Sequence, residues 1–200
     1  MASRATECCS NIVLSATALY SSYKLFKDHR GPSVGLFLLG ISAACCTLHP
    51  SSASLTSLFS EAEWAGEVLA PVLVSFDFLW LSQDHNTARV LLCGSCLLVG
   101  LSDRLSADTL TVMTRCLGLS SVSCCLTVCL FAGNALGAMG GVALSLPLVL
   151  GQTLGSNTFA PLVSQAATEG LVRSLLKGSL SIGCWASTQA LSKFLLDVTE

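Results

Sequence analysis

Between Arg115 and Glu169 the chain runs 53 residues without a Lys, Arg, Asp or Glu. A water-soluble fold needs charge on its surface at far closer intervals, because soluble domains carry roughly 25% charged residues. A helix that crosses a bilayer needs about 20 mostly apolar residues, so this run is long enough for two crossings. Gly133-Asn134-Ala135 offers the break between them. Shorter uncharged gaps recur along the chain: 16 residues from Glu7 to Lys24, 30 from Arg30 to Glu61, 13 from Arg89 to Asp103 and 15 from Lys177 to Lys193.

Composition points the same way. Of the 200 residues, 52% are hydrophobic and 11% charged, and the mean hydropathy is +0.70. Such a chain cannot build a charged shell, whereas lipid makes an apolar outer surface an advantage. The lipid bilayer is therefore the first partner implied. The formal net charge of −2 leaves no basic surface for nucleic acid.

The expected fold class is all-α: a polytopic integral membrane helix bundle of six or seven transmembrane helices. It forms one domain over residues 1–200, with no soluble domain. The candidate spans are Cys8–Tyr23, Ser33–Leu48, Trp64–Leu81, Thr87–Leu101, Cys116–Phe131, Ala135–Gly151 and Gly178–Val198. The first, fourth and seventh have interfacial or partly re-entrant helices as the alternative. His49-Pro50 closes the second, and Pro147 breaks the sixth near its end. The polar stretches His49–Glu63 and Gln152–Thr168 are the longest loops expected. Between Glu169 and Lys177 the pattern is amphipathic, with Arg173 and Lys177 one turn apart, as for a helix lying at the interface ahead of the last span. A cleavable signal at the N-terminus is disfavoured, since its apolar stretch is short and broken by Ser and Asn.

Lys and Arg bias sets membrane orientation, but here the two sides balance. With seven spans, Lys24, Lys27, Arg30, Arg89 and Lys193 share one side, and Arg4, Arg104, Arg115, Arg173 and Lys177 the other.

Asp77 and Glu67 form the candidate intramembrane polar site. A carboxylate at the bilayer centre costs about 2.5–3.5 kcal/mol by translocon scales. Ten residues apart on one helix, the two are separated by roughly 15 Å along the axis, too far to share a metal. Glu67 has a bland alternative at the interface, one turn from Glu63. Bulky apolar residues surround Asp77 in Phe76-Asp77-Phe78-Leu79-Trp80. If helix continues through Gln83, Asp77, Asp84 and His85 share a face, and Asp28 and His29 join them at one mouth. His49 falls on the opposite side, so the three histidines do not converge on a metal site.

Cys93-Gly94-Ser95-Cys96 has redox spacing, but it lies in an apolar helix, where small residues aid packing. The 11 cysteines read mostly as small hydrophobes; Cys8 and Cys9 are juxtamembrane. Gly133, Gly137 and Gly141 form a helix-packing motif, because glycines four apart let a second backbone approach. Internal packing or self-association would each use it. No P-loop, H-E-x-x-H or G-x-S-x-G motif is present. No catalytic residue, cofactor or metal is expected.

Two function classes follow. One is a membrane scaffold or assembly partner, working through a membrane-protein partner or a homo-oligomer. The other is a small proton-coupled transporter or carrier using Asp77 and Glu67. Short spans suit thin membranes, which favours endoplasmic reticulum or Golgi over plasma membrane.

Overall fold

A computed structural model describes residues 2–47, 53–150 and 165–198. Among them are seven α-helices: α1 (Ala2–Leu25), α2 (Arg30–Thr47), α3 (Ala53–Leu81), α4 (His85–Gly100), α5 (Ala107–Phe131), α6 (Ala135–Leu150) and α7 (Gln165–Val198). A 3₁₀ turn, Ser102–Arg104, joins α4 to α5. Three segments are long and apolar enough to cross a membrane: Arg30–Thr47, Phe59–Leu81 and Ala107–Phe131. α6 is a shorter apolar helix.

Several helices overrun the apolar stretches that announce them. α3 begins at Ala53 and α5 at Ala107, well ahead of Trp64 and Cys116. Charge ends an apolar run without ending a helix when the charged side chain finds a partner inside the fold. The interfacial helix expected over Glu169–Lys177 is instead part of the continuous 34-residue α7. His49 and most of the stretch expected as a loop, residues 152–164, lie outside the described residues.

Six helices close a ring. α1 packs on α2 and α7, α2 on α3, α3 on α5, α5 on α6, and α6 on α7, while α3 also meets α6 across the middle. α4 sits against α3 and α5. Phe78 is completely buried in the core with Leu14, Leu36, Leu39, Leu144 and Leu180. Large apolar side chains face outward, among them Tyr23, Val90, Leu97 and Phe131.

Two hairpins are built by one device. After α3, Gln83 takes φ 65°, and after α5, Gly133 takes φ 68°. Both turns carry the paired bonds of a Schellman ending: Asp84 N to Leu79 O and Gln83 N to Trp80 O, then Asn134 N to Cys129 O and Gly133 N to Leu130 O. The next residue caps the following helix. Asp84 accepts from Thr87 N at 3.2 Å, and Asn134 Oδ1 accepts from Gly137 N at 2.9 Å. The Thr87 hydroxyl and amide hold the Asp84 carboxyl below its usual range.

Helix therefore does not continue through Gln83, and Asp84 and His85 do not extend the face of Asp77. Gly133 likewise leaves the glycine stripe: it ends α5 in a left-handed turn that a Cβ disfavours. The glycines inside α6 make the close approaches. A methyl on Gly140 would lie 2.5 Å from Ser187 Oγ and 2.7 Å from its backbone nitrogen on α7. On Gly137 it would lie 2.6 Å from Cys129 Sγ and 3.1 Å from the Phe78 ring. Gly141 faces Cys125 of α5. From the other side, a methyl on Gly183 of α7 would come within 2.8 Å of the Leu144 backbone nitrogen.

Pro71 and Pro147 sit inside helices. Pro147 does not end α6, which runs on to Leu150. Its missing N–H frees the Ala143 carbonyl, and Ser179 Oγ of α7 donates to that oxygen at 2.6 Å. Serines tie other helices. Ser22 and Ser33 each donate to the other's carbonyl across α1 and α2, at 2.8 and 2.9 Å. Ser75 and Ser121 meet at 2.7 Å across α3 and α5, and Ser121 Oγ also donates to Pro71 O at 3.0 Å.

Gly140→Val should lower stability by about 1–3 kcal/mol through overpacking, read as a lower unfolding midpoint in mild detergent. Gly94→Ala on α4, where a Cβ meets nothing within 4 Å, serves as the control. Equal effects of the two changes would refute the close contact.

Candidate functional site

Polar groups gather at the two ends of the ring. At one end the chain turns between α1 and α2, where His29 N donates to Leu25 O at 2.8 Å and Ser33 N to His29 O at 3.2 Å. This places the His29 side chain under the end of α3, where Nδ1 meets Asp77 Oδ2. The side chains are 4% and 15% exposed. The pair ties the α1–α2 turn to α3, and the other ring nitrogen, Nε2, is buried without a hydrogen-bond partner. Asp77 thus engages one neighbour.

Asp28, Asp84 and His85 lie at the same end, and all are exposed. The pairing runs between turns, from Asp77 to His29. His85 packs its ring on Trp80, with centroids 4.2 Å apart. Exposed Tyr20, Tyr23, Phe26, Trp80 and Phe131 surround this end, as aromatic side chains do at a membrane–water interface.

At the opposite end, Lys177 of α7 reaches inward to Glu63 of α3, Nζ to Oε1 at 2.8 Å. It also donates to Asn11 Oδ1 of α1 at 2.5 Å. Cys46 of α2 donates to the other Glu63 oxygen, Sγ to Oε2 at 3.4 Å. One ion pair therefore connects α1, α2, α3 and α7. Glu67 lies one turn along α3 and lines a cavity of about 330 Å³ with Glu63, Trp64, Thr114, Arg173 and Lys177. Asp77 and Glu67 belong to different clusters, as their spacing along the helix requires.

The pairing of Lys177 with Asn11 is not written in any local pattern. The one signal for it is a lysine flanked by LeuLeu and an asparagine flanked by IleValLeu, polar atoms that lipid would not accept. Cys93 and Cys96 are exposed on α4, and all 11 cysteines are free. Among the described residues no group of three His, Cys, Asp or Glu side chains is placed to hold a metal.

Apolar helices long enough to cross, small-residue contacts between them and aromatic side chains at one end define a multi-pass α-helical membrane protein. The chain is similar to Transmembrane protein 276 of Homo sapiens and of Mus musculus, 27% identical over 186 residues, which is 91% of this chain and 89% of each relative. Transmembrane protein 276 of Bos taurus is 28% identical over 135 residues, covering 68% of this chain and 69% of the relative. No protein-family model matches the chain. No solved structure matches it.

Removing one partner of a buried hydrogen bond costs about 1–3 kcal/mol, because the other is left unsatisfied. His29→Ala and Asp77→Ala should each destabilise on that scale. The double variant should lose much less than the sum. Effects that add to within about 0.5 kcal/mol would show that the two side chains are not coupled; unfolding in detergent measures all three.

Proposed function

We propose that this protein is a membrane scaffold or assembly partner that acts through its lipid-embedded surface. The observation that carries this reading is the pairing of Asp77 with His29. A carrier that moves protons needs a carboxylate held open to a pathway. Here the most deeply set carboxylate at that end holds the α1–α2 turn to α3. The Glu63–Lys177 pair does similar work at the other end, where Glu67, the carboxylate a carrier would still have free, lines a cavity. Within the described residues the connections are short: four residues between α1 and α2, three between α3 and α4, and three between α5 and α6. The surface left for a partner is largely the outside of the helices, and α4, which packs mainly on α3 and α5, leaves Val90 and Leu97 73% and 62% exposed.

The alternation of helix direction along the chain supports six or seven crossings. α4 and α6 have 16 residues each, about 24 Å at 1.5 Å per residue, short of the roughly 30 Å of a typical hydrocarbon core. These two short helices support residence in the thinner membranes of the endoplasmic reticulum or Golgi, while α3 and α5, at 29 and 25 residues, would cross a thicker one as well.

Two measurements test the scaffold reading. Proteoliposomes loaded with a pH-sensitive dye should show no proton flux above empty vesicles, and a photocrosslinker at Leu97 should give discrete protein adducts in native membranes. Flux that Asp77→Asn abolishes would overturn the scaffold reading in favour of a carrier, and adducts to lipid alone would remove its support. Fractionation of the endogenous protein should place it with internal membranes; recovery only with plasma membrane would refute that location.

A further inference from the structure

The cavity beside Glu67 is lined by charges of both signs. Two carboxylates, Glu63 and Glu67, and two cations, Arg173 and Lys177, line it. One of each is already paired: Glu63 and Lys177 are joined at 2.8 Å. Among the described residues no hydrogen bond or ion pair engages the Glu67 carboxylate or the Arg173 guanidinium. The cavity wall thus presents a carboxylate and a guanidinium that feel each other's charge across the space without a direct contact.

A second feature points to an occupant. Thr114 of α5 lines the same cavity, is 1% exposed, and its Oγ1 has no hydrogen-bond partner. An unsatisfied buried hydroxyl costs free energy that a bound polar group would recover. At about 330 Å³ the space lies within the range of small-molecule sites.

The charge pattern selects the ligand class. A bare cation would meet Arg173 as well as Glu67, and a bare anion would meet Glu67 as well as Arg173. A ligand that carries both charges satisfies both walls. We propose that this cavity binds a zwitterionic headgroup, with an ammonium on Glu67, a phosphate or other oxyanion on Arg173, and the connecting oxygens on Thr114. Arg173 is exposed while Thr114 is buried, so the oxyanion sits at the mouth and the polar link reaches inward. The same chemistry is offered by an ethanolamine phospholipid and by a small soluble zwitterion.

The test uses the full-length protein in a neutral detergent. Phosphatidylethanolamine and phosphatidylglycerol with matched acyl chains are titrated, and binding is read by native mass spectrometry and by the shift of the unfolding midpoint. The ethanolamine lipid should bind at least tenfold more tightly. Glu67→Gln and Arg173→Gln should each weaken it about tenfold, the loss of one charge-assisted hydrogen bond, and Thr114→Val should weaken it by a smaller factor. Arg173→Gln removes an exposed side chain, so it tests the site even where Glu67→Gln perturbs folding. Soluble phosphoethanolamine forms the third arm: competition by it assigns the site to a soluble zwitterion, and its failure assigns it to the lipid. Equal binding of the two lipids, no binding of either lipid or phosphoethanolamine, or full binding by Arg173→Gln overturns the proposal.

Discussion

Hydrocarbon gives two apolar helices no hydrophobic reason to associate, since the tails around them are as apolar as leucine. This ring is therefore held by the interactions that survive in lipid: close backbone approach and hydrogen bonds between helices. Gly140 and Gly183 let α6 and α7 meet at Ser187 and Leu144. Ser22 with Ser33 and Ser75 with Ser121 do the same for α1 with α2 and α3 with α5. A side chain larger than these at the contact points would separate backbones whose spacing all the other contacts assume.

The same constraint governs backbone polarity. A proline inside a helix frees one carbonyl, and lipid offers no water to satisfy it. Ser179 supplies the missing donor at Ala143, so Pro147 becomes a joint between α6 and α7. Pro71 lies where Ser121 donates to its carbonyl, which joins α3 and α5 at the same level. Ionisable side chains follow suit. His29 holds Asp77, and Lys177 holds Glu63 while also reaching Asn11. Each end of the bundle is pinned by one such pair. Glu67 and Arg173 differ from these pairs: they line one cavity and make no direct contact with each other.

Some of this was legible in order along the chain. The 53-residue uncharged run announced α5 and α6, and Gly133 marked the turn between them. The end shared by Asp28, His29, Asp77, Asp84 and His85 followed from counting helices. Other features were not legible, and the reasons are local. Gly133 and Gln83 both terminate helices in the left-handed region, yet only the glycine carries a sequence signal for it. Helix starts at Ala53, Ala107 and Gln165 lie in polar sequence: α3 and α7 are joined there by Glu63 and Lys177, and α5 begins where Ser106 accepts from Thr109 N.

The sequence by itself determined that the chain lives in a membrane as a bundle of helices, because apolar length and scarcity of charge are properties of the chain that no packing can alter. It also determined which carboxylates are expensive to bury. Only the tertiary structure decided what those carboxylates do. Asp77 and His29 are 48 residues apart, and Lys177 and Asn11 are 166 apart. No periodicity records which face of a distant helix will arrive beside a given side chain. That depends on how closely glycine and serine let the helices approach, and the approach exists only once all the helices of the ring are in place.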